Sequence, residues 1–321
     1  MRPIRKEEAL SFNTAWKLPS VIGYQIKEAN NHIDDSWKAN LDTSLLYKDT
    51  KYILPFIHST NHPAANRPSP HPNKTYTALQ LGKELPGPES IIALDTEFVS
   101  IRQPEIEINS DGDRFTIRPI VYALARVSVL RGPGSPGAFD ESLEPGTPFI
   151  DDYITLTSPV VDYLTSYSGI SAADLDPAVS PHSLLPLKTA YKKLWLLLNL
   201  GCSFLGHGLK QDFRVINIHV PKSQVIDTAE FFFLASRLRK LSLAFLAWYL
   251  LKEEIQLSTH DSIEDARTAL KLWERWRGFV EEGVEERVVA EIYRVGREMG
   301  FKPPGRGDGA VVFGTPTRGG G

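Results

Sequence analysis

Ile91-Ile92-Ala93-Leu94 is a run of four apolar residues with no polar break, and two acids, Asp95 and Glu97, follow it directly. A strand that is apolar on both faces must be covered on both faces, so it belongs in the middle of a sheet with helices on either side. Side chains alternate across a strand, so Asp95 and Glu97 share one side at the end of this run. Two carboxylates that close repel each other, and both stay ionised only beside a cation or a positive side chain. The pair therefore has two readings, solvated acids at a strand end or part of a metal site.

The rest of the pattern fits a layered architecture. Residues 119–130 are rich in β-formers, with Val121, Ala123, Ala125, Val127 and Val129 on one face, and make a second strand. Asp111-Gly112-Asp113 marks a turn between the two, and residues 131–148 form a Gly/Pro-rich loop. Leu187, Tyr191, Leu194 and Leu198 recur at helical spacing, with Gly201 placed as a stop. Residues 203–206 and 225–226 read as short strands. Leu209, Phe213 and Ile216 give the helix between them an apolar stripe. Residues 241–251 read as a core helix, 262–280 as a long amphipathic one and 285–297 as a last one. Strands early and βα alternation later predict an α/β fold, a mixed sheet flanked by helices.

Ahead of this domain the chain changes character. Seven prolines lie between Pro55 and Pro88, and Pro68, Pro70 and Pro72 alternate with small or polar residues, which predicts an extended linker. The layout expected is a mixed segment over 1–60, a Pro-rich linker over 61–88, a compact domain over 89–300 and a disordered Gly/Arg/Pro tail over 301–321. No apolar run approaches the ~18–20 residues of a membrane span, so no membrane partner is expected. The single cysteine, Cys202, lies in an apolar stretch and reads as a core thiol. A net charge of −3 means that a polyanion would not be held by bulk electrostatics, so a nucleic-acid substrate would need local attraction and bound cations.

Three further residues join the acids. Asp212 falls in the first turn of a helix after Gly206 and Gly208, where the helix dipole favours a carboxylate and where sheet-based sites also gather. Ser262 can cap the long helix with Asp265 in its first turn, yet Asp265, Ala269, Leu272 and Trp276 share one stripe that is otherwise apolar. A carboxylate at the head of a core-facing stripe needs a partner, which capping or a shared metal would supply. His260, on the loop before that helix, reads alone as a solvated side chain and beside a metal cluster as a proton acceptor. Four oxygen ligands select hard cations, Mg²⁺ or Mn²⁺, over zinc. Two such ions ~4 Å apart can grip a phosphodiester and activate a water.

Asp95-Thr96-Glu97, then Asp212, then His260 with four residues before Asp265, resembles the three motifs of the DEDD exonuclease superfamily in its histidine branch. Gly206-His207-Gly208-Leu209-Lys210-Gln211-Asp212-Phe213, Leu246-Ala247-Trp248-Tyr249 and Thr259-His260-Asp261-Ser262-Ile263-Glu264-Asp265 are similar to the catalytic subunits of the Pan poly(A)-nuclease deadenylation complex. Upstream, residues 16–24 and 42–47 resemble the end of that family's ubiquitin-hydrolase-like domain, which makes residues 1–60 a remnant of it.

The resemblance implies an RNase H-like fold with a five-stranded mixed sheet. It implies 3′→5′ hydrolysis of poly(A) tails to 5′-AMP with two divalent cations, Mg²⁺ foremost and Mn²⁺ as the substitute. Asp95, Glu97, Asp212 and Asp265 would be metal ligands and His260 the general base. His207 and Leu209 could touch the terminal nucleotide, or simply pack in their loop. Implied partners are poly(A) RNA, the Pan partner subunit, whose usual binding linker is expected to be absent from this stretch, and indirectly poly(A)-binding protein. The implied location is the cytoplasm, including P-bodies. Arg237, Arg239 and Lys240 could meet phosphates or be a solvated charge run. The competing readings are a DNA or general RNA 3′→5′ exonuclease, and a non-catalytic RNA-binding scaffold.

Overall fold

The computed structural model describes residues 41–48 and 75–304. Most of the expected hydrolase-like remnant, the first part of the Pro-rich linker and nearly all of the tail lie outside the described residues.

The apolar run opens strand β1 (Ile91–Arg102), which sits inside a six-stranded sheet. Sequence places the first strand's end at the two acids, but β1 continues for 12 residues, so Asp95 and Glu97 lie in its interior. After the exposed hairpin of β2 (Glu105–Ile108) and β3 (Arg114–Arg118) come β4 (Val121–Arg131), β5 (Pro148–Thr155), β6 (Leu184–Pro186), β7 (Ser203–Gly206) and β8 (Val225–Asp227). The sheet order is β6-β5-β4-β1-β7-β8. β4 runs antiparallel to both β1 and β5, whereas β7 is parallel to β1 and to β8. This is the mixed RNase H-like sheet, with six strands rather than five because β6 adds in parallel to the edge of β5.

The helices are α1 (Thr165–Ser168), α2 (Ala172–Leu175), α3 (Leu187–Asn199), α4 (Lys210–Ile216), α5 (Thr228–Phe231), α6 (Leu243–Leu246), α7 (Ser262–Glu282) and α8 (Glu285–Glu298). The core helix expected over 241–251 starts as α6 and widens into a π-helical stretch, Ala247–Leu251. The apolar stripe of α7 packs on the sheet: Ile263, Ala266, Ala269, Leu270 and Trp273 join Ala93, Leu130 and Leu205 in one buried cluster. Farther along, Leu272 packs with Phe232, Phe245, Ile292 and Tyr293, and Trp276 stacks on Phe231 at 5.5 Å between ring centres. These contacts fix α7 across β1, β4 and β7, and the head of its stripe is Asp265.

Residues 75–88, which sequence assigns to the linker, are packed on this domain. Glu84 and Arg131 form a buried ion pair at 2.7 Å, and Arg131 also donates to the Thr77 carbonyl. A buried charge of each sign offsets the other's desolvation, which proline spacing cannot reveal. Cys202 is fully buried, and burial pushes its thiol up to about 12, as a core thiol requires. Among the described residues no helix is long and apolar enough to cross a membrane.

Candidate active site

β1 delivers the first two acids. Its parallel pairing with β7 covers only Ile91, Ile92 and Ala93, so from Leu94 onward that flank of β1 has left β7. On the other flank Asp95 is the register partner of Ser128 and Glu97 of Arg126. Beyond its end at Gly206, β7 turns sharply, and α4 follows with Asp212 in its first turn. The turn is tied down by Asp227, whose carboxylate accepts from the Gly208 and Leu209 N–H groups at 2.7 and 3.1 Å. Gly208 has φ +84°, in the left-handed region that glycine enters without cost. At Gly206 space decides: a Cβ would lie 2.7 Å from the Leu94 carbonyl oxygen and 2.5 Å from Leu209 Cδ2. Gly206→Ala must therefore push β7 off β1 beside the site, and urea unfolding should show a loss of about 1–3 kcal/mol.

Asp212 is buried and accepts from the Thr96 hydroxyl at 2.5 Å, so α4 is docked on the residue between the two β1 acids. Asp265 reaches in from α7. Its Oδ2 accepts from Gln256 Nε2 at 2.7 Å and faces His260 Nδ1 at 3.5 Å. Asp265 does not cap its helix. The cap is Asp261, which accepts from the Ile263 and Glu264 N–H groups, whereas Ser262, expected as the cap, is fully buried and meets Ser128 Oγ at 2.7 Å. The His260 side chain is 34% exposed.

The electrostatics are those of crowded like charges. Burial, then the charges of Asp265, Glu97 and Asp212, hold the Asp95 carboxyl well above the usual carboxylate range. Burial and Asp265 push Glu97 up to about 9, against the pull of Arg126. Burial raises Asp212 to about 6, with the Thr96 hydroxyl opposing. Two oxygens stand out in this setting: Glu97 Oε1 and Asp265 Oδ1 are buried and accept no hydrogen bond. A buried carboxylate oxygen without a donor is costly, and a bound dication is the partner that removes the cost. Among the described residues no three His, Cys, Asp or Glu side chains have the spacing of an assembled metal site. Thr96 holds Asp212 and Gln256 holds Asp265. The donor set nonetheless fits a hard cation, because Mg²⁺ takes only one or two carboxylates and completes its shell with water and substrate oxygens.

The other candidates are placed differently. His207 spends both ring nitrogens on the fold, facing Thr228 Oγ1 at 2.9 Å and the Leu241 carbonyl at 3.0 Å. Leu209 is 1% exposed, beneath the Gly206 turn. In the basic cluster, the Arg239 guanidinium lies 4.1 Å from the Phe301 ring centre and Lys240 pairs with Glu230. Sequence reading missed Arg126, Thr96 and Gln256. Arg126 had a signal, as the one charge within the apolar run of β4. Gln256 had none.

Comparison with known proteins identifies the family. The profile of the family described as "Exonuclease" matches residues 92–273. The catalytic subunit PAN2 of the PAN2-PAN3 deadenylation complex of Chaetomium thermophilum is 60% identical over 308 residues, covering 96% of this chain and 24% of that protein. Its Neurospora crassa counterpart is 50% identical, covering 97% and 22%. The chain thus spans about a quarter of the curated relatives it matches. Among solved structures, the Neurospora crassa Pan2 catalytic unit (protease and nuclease domain) superposes with a TM-score of 0.66 at 48% identity, covering 91% of this chain and 41% of that one. The Saccharomyces cerevisiae Pan2 pseudoubiquitin hydrolase-RNA exonuclease module in complex with AAUUAA RNA gives 0.66 at 38%, covering 82% and 38%. With its acids converging on one sheet and the family profile spanning more than half of its residues, this chain belongs to the exonuclease family, whose chemistry depends on divalent metal.

Proposed function

We propose that this chain is a 3′→5′ exoribonuclease that shortens poly(A) tails and releases 5′-AMP. The observation that carries the reading is the pair of buried, partnerless oxygens, Glu97 Oε1 and Asp265 Oδ1, inside a cluster of four acids. Asp95, Glu97, Asp212 and Asp265 would hold two Mg²⁺ ions, with Mn²⁺ able to replace them. Cations held there would supply Lewis-acid polarisation of a phosphodiester and would ease the deprotonation of a water.

The protein's own groups do the rest. Asp265 Oδ2 faces His260 Nδ1 and so orients the ring, leaving Nε2 to take the proton of the attacking water. The buried flank formed by Thr96, Glu97 and Asp212 keeps bulk water from the same centre. The substrate assignment rests on the relatives, which are named as deadenylation-complex catalytic subunits, and on Pan2 structures described with A7 RNA and with AAUUAA RNA. By the same route the proposal extends to a PAN3-type partner subunit, to an indirect link with poly(A)-binding protein and to a cytoplasmic site of action. It extends also to residues 1–60 as a remnant of the hydrolase-like domain that the solved relatives' descriptions name.

The test uses end-labelled RNA with a 3′ adenosine tract, in Mg²⁺ or EDTA, with His260→Ala in parallel. Stepwise shortening to 5′-AMP that requires the metal, and falls about 10²–10⁴-fold in His260→Ala, is expected. Equal attack on non-adenosine RNA or on DNA would leave the chemistry standing and remove poly(A) as the substrate. Tight RNA binding without any cleavage would favour the scaffold.

A further inference from the structure

Two ties clamp the start of α7 to β4. The Arg126 side chain is 7% exposed, and its Nη1 donates to Asp261 Oδ2 at 2.9 Å. Its Nε and Nη2 grip Asp151, at 2.7 and 3.2 Å. Asp151 is itself held by Ser128 Oγ at 3.1 Å and Thr75 Oγ1 at 2.5 Å. The other oxygen of Asp261, Oδ1, accepts from the first-turn N–H groups of Ile263 and Glu264 at 2.9 and 3.1 Å. One residue along, Ser262 Oγ meets Ser128 Oγ. A planar guanidinium holds two carboxylates in fixed directions, one of them bidentately, which the rotating ammonium of lysine does not.

Both ties end beside His260. From the opposite flank Gly169, at φ +65°, comes so close that a Cβ there would lie 2.4 Å from the His260 carbonyl oxygen. Backbone and helix cap together fix where the His260 backbone lies, and its Nδ1 is 3.5 Å from Asp265 Oδ2. Stability alone does not call for this arrangement: well-packed apolar residues commonly replace a buried pair such as Arg126–Asp151 at no loss, and the Asp261 side chain is half exposed, where an ion pair adds little.

We infer that Arg126, acting through Asp261, is a positioning residue for His260. The ion pair anchored on Asp151 sets where α7 begins, and with it the distance between the imidazole and Asp265. The Arg126 side chain spends its hydrogen bonds on Asp151 and Asp261, although Glu97 is its register partner on β1 and feels its charge, and the inference rests on His260 being the proton acceptor.

A double-mutant cycle on the full chain decides it. Asp261→Asn keeps an oxygen to cap α7 but drops the charge that Arg126 holds. Asp261→Ser, a second uncharged cap, is run beside it so that instability of one variant does not decide the outcome. Each is measured for kcat and KM in Mg²⁺, alone and combined with His260→Ala, and for metal-free hydrogen exchange over residues 256–266. The expected result is a fall in kcat of about 10–100-fold with KM within about twofold, as for a misplaced catalytic group. Exchange at residues 258–264 should quicken, and the same substitutions should cost nothing more once His260 is alanine. An equal loss in both backgrounds, or an unchanged kcat, would overturn the inference and leave the proton-acceptor reading intact. Full activity of His260→Ala alone would overturn both.

Discussion

Asp95→Asn lowers turnover by about 10³-fold or more, on the order of 4 kcal/mol of transition-state stabilisation, and Asp265→Asn does the same. Asparagine keeps the volume of the side chain and one acceptor oxygen, so packing around β1 and α7 is preserved. What it removes is the negative charge on which a dication depends. The KM for RNA should move far less than the turnover rate. Single-turnover rates of shortening at saturating Mg²⁺ measure this. Either variant keeping more than about a tenth of the rate would remove its carboxylate from the metal set.

In EDTA the same acids work against the fold. Glu97 has an ordinary carboxyl pKa of 4.5 when unfolded and about 9 in the folded protein, so folding favours its protonated form. Below pH 4.5 this costs nothing; as pH rises toward 9 the folded chain must retain the proton or bury a charge, and stability falls. Asp212 adds a loss of the same sign between 3.8 and about 6, and Asp95 adds another. From this source the metal-free protein should be on the order of 2–5 kcal/mol less stable at pH 9 than at pH 5. Saturating Mn²⁺ should restore most of it and raise Tm by several degrees, more at pH 8 than at pH 5.5. Glu97→Gln should flatten the pH slope and shrink the response to Mn²⁺. Metal-free stability that climbs between pH 6 and 9, or a full Mn²⁺ response in Glu97→Gln, would contradict the account. Acids that lower stability and confer activity are the expected trade at an active site.

Sequence reading succeeded where local pattern and tertiary role coincide. β7, α3, α4, α7 and α8 all form close to their expected limits, α3 with its helical spacing ended at Gly201. β5 was missed because Asp151 and Asp152 interrupt its apolar run. Both are buried, and the bases that pair with them, Arg126 and Lys193, come from 25 and 41 residues away. The β2–β3 hairpin was read only as a turn, since its side chains are exposed on both strands.

At the site, each of the acids and His260, read one at a time, also had a structural explanation; they were singled out by their order along the chain and their place at strand and helix ends. Their partners were not. Gln256 reaches Asp265 from a loop residue with φ +54°, and the choice of Asp261 over Ser262 as cap depends on Arg126 and Ser128 waiting on β4. Such residues are selected by what lies opposite them, which no spacing along the chain encodes.

The four-acid site is tested most directly by anomalous scattering from crystals of the chain grown with Mn²⁺ and AMP. The prediction is manganese density in bonding contact with Glu97 Oε1 and Asp265 Oδ1, the two buried oxygens of this cluster that accept no hydrogen bond. Manganese absent from this cluster, in crystals whose redissolved protein shortens RNA at the same Mn²⁺ concentration, would contradict it.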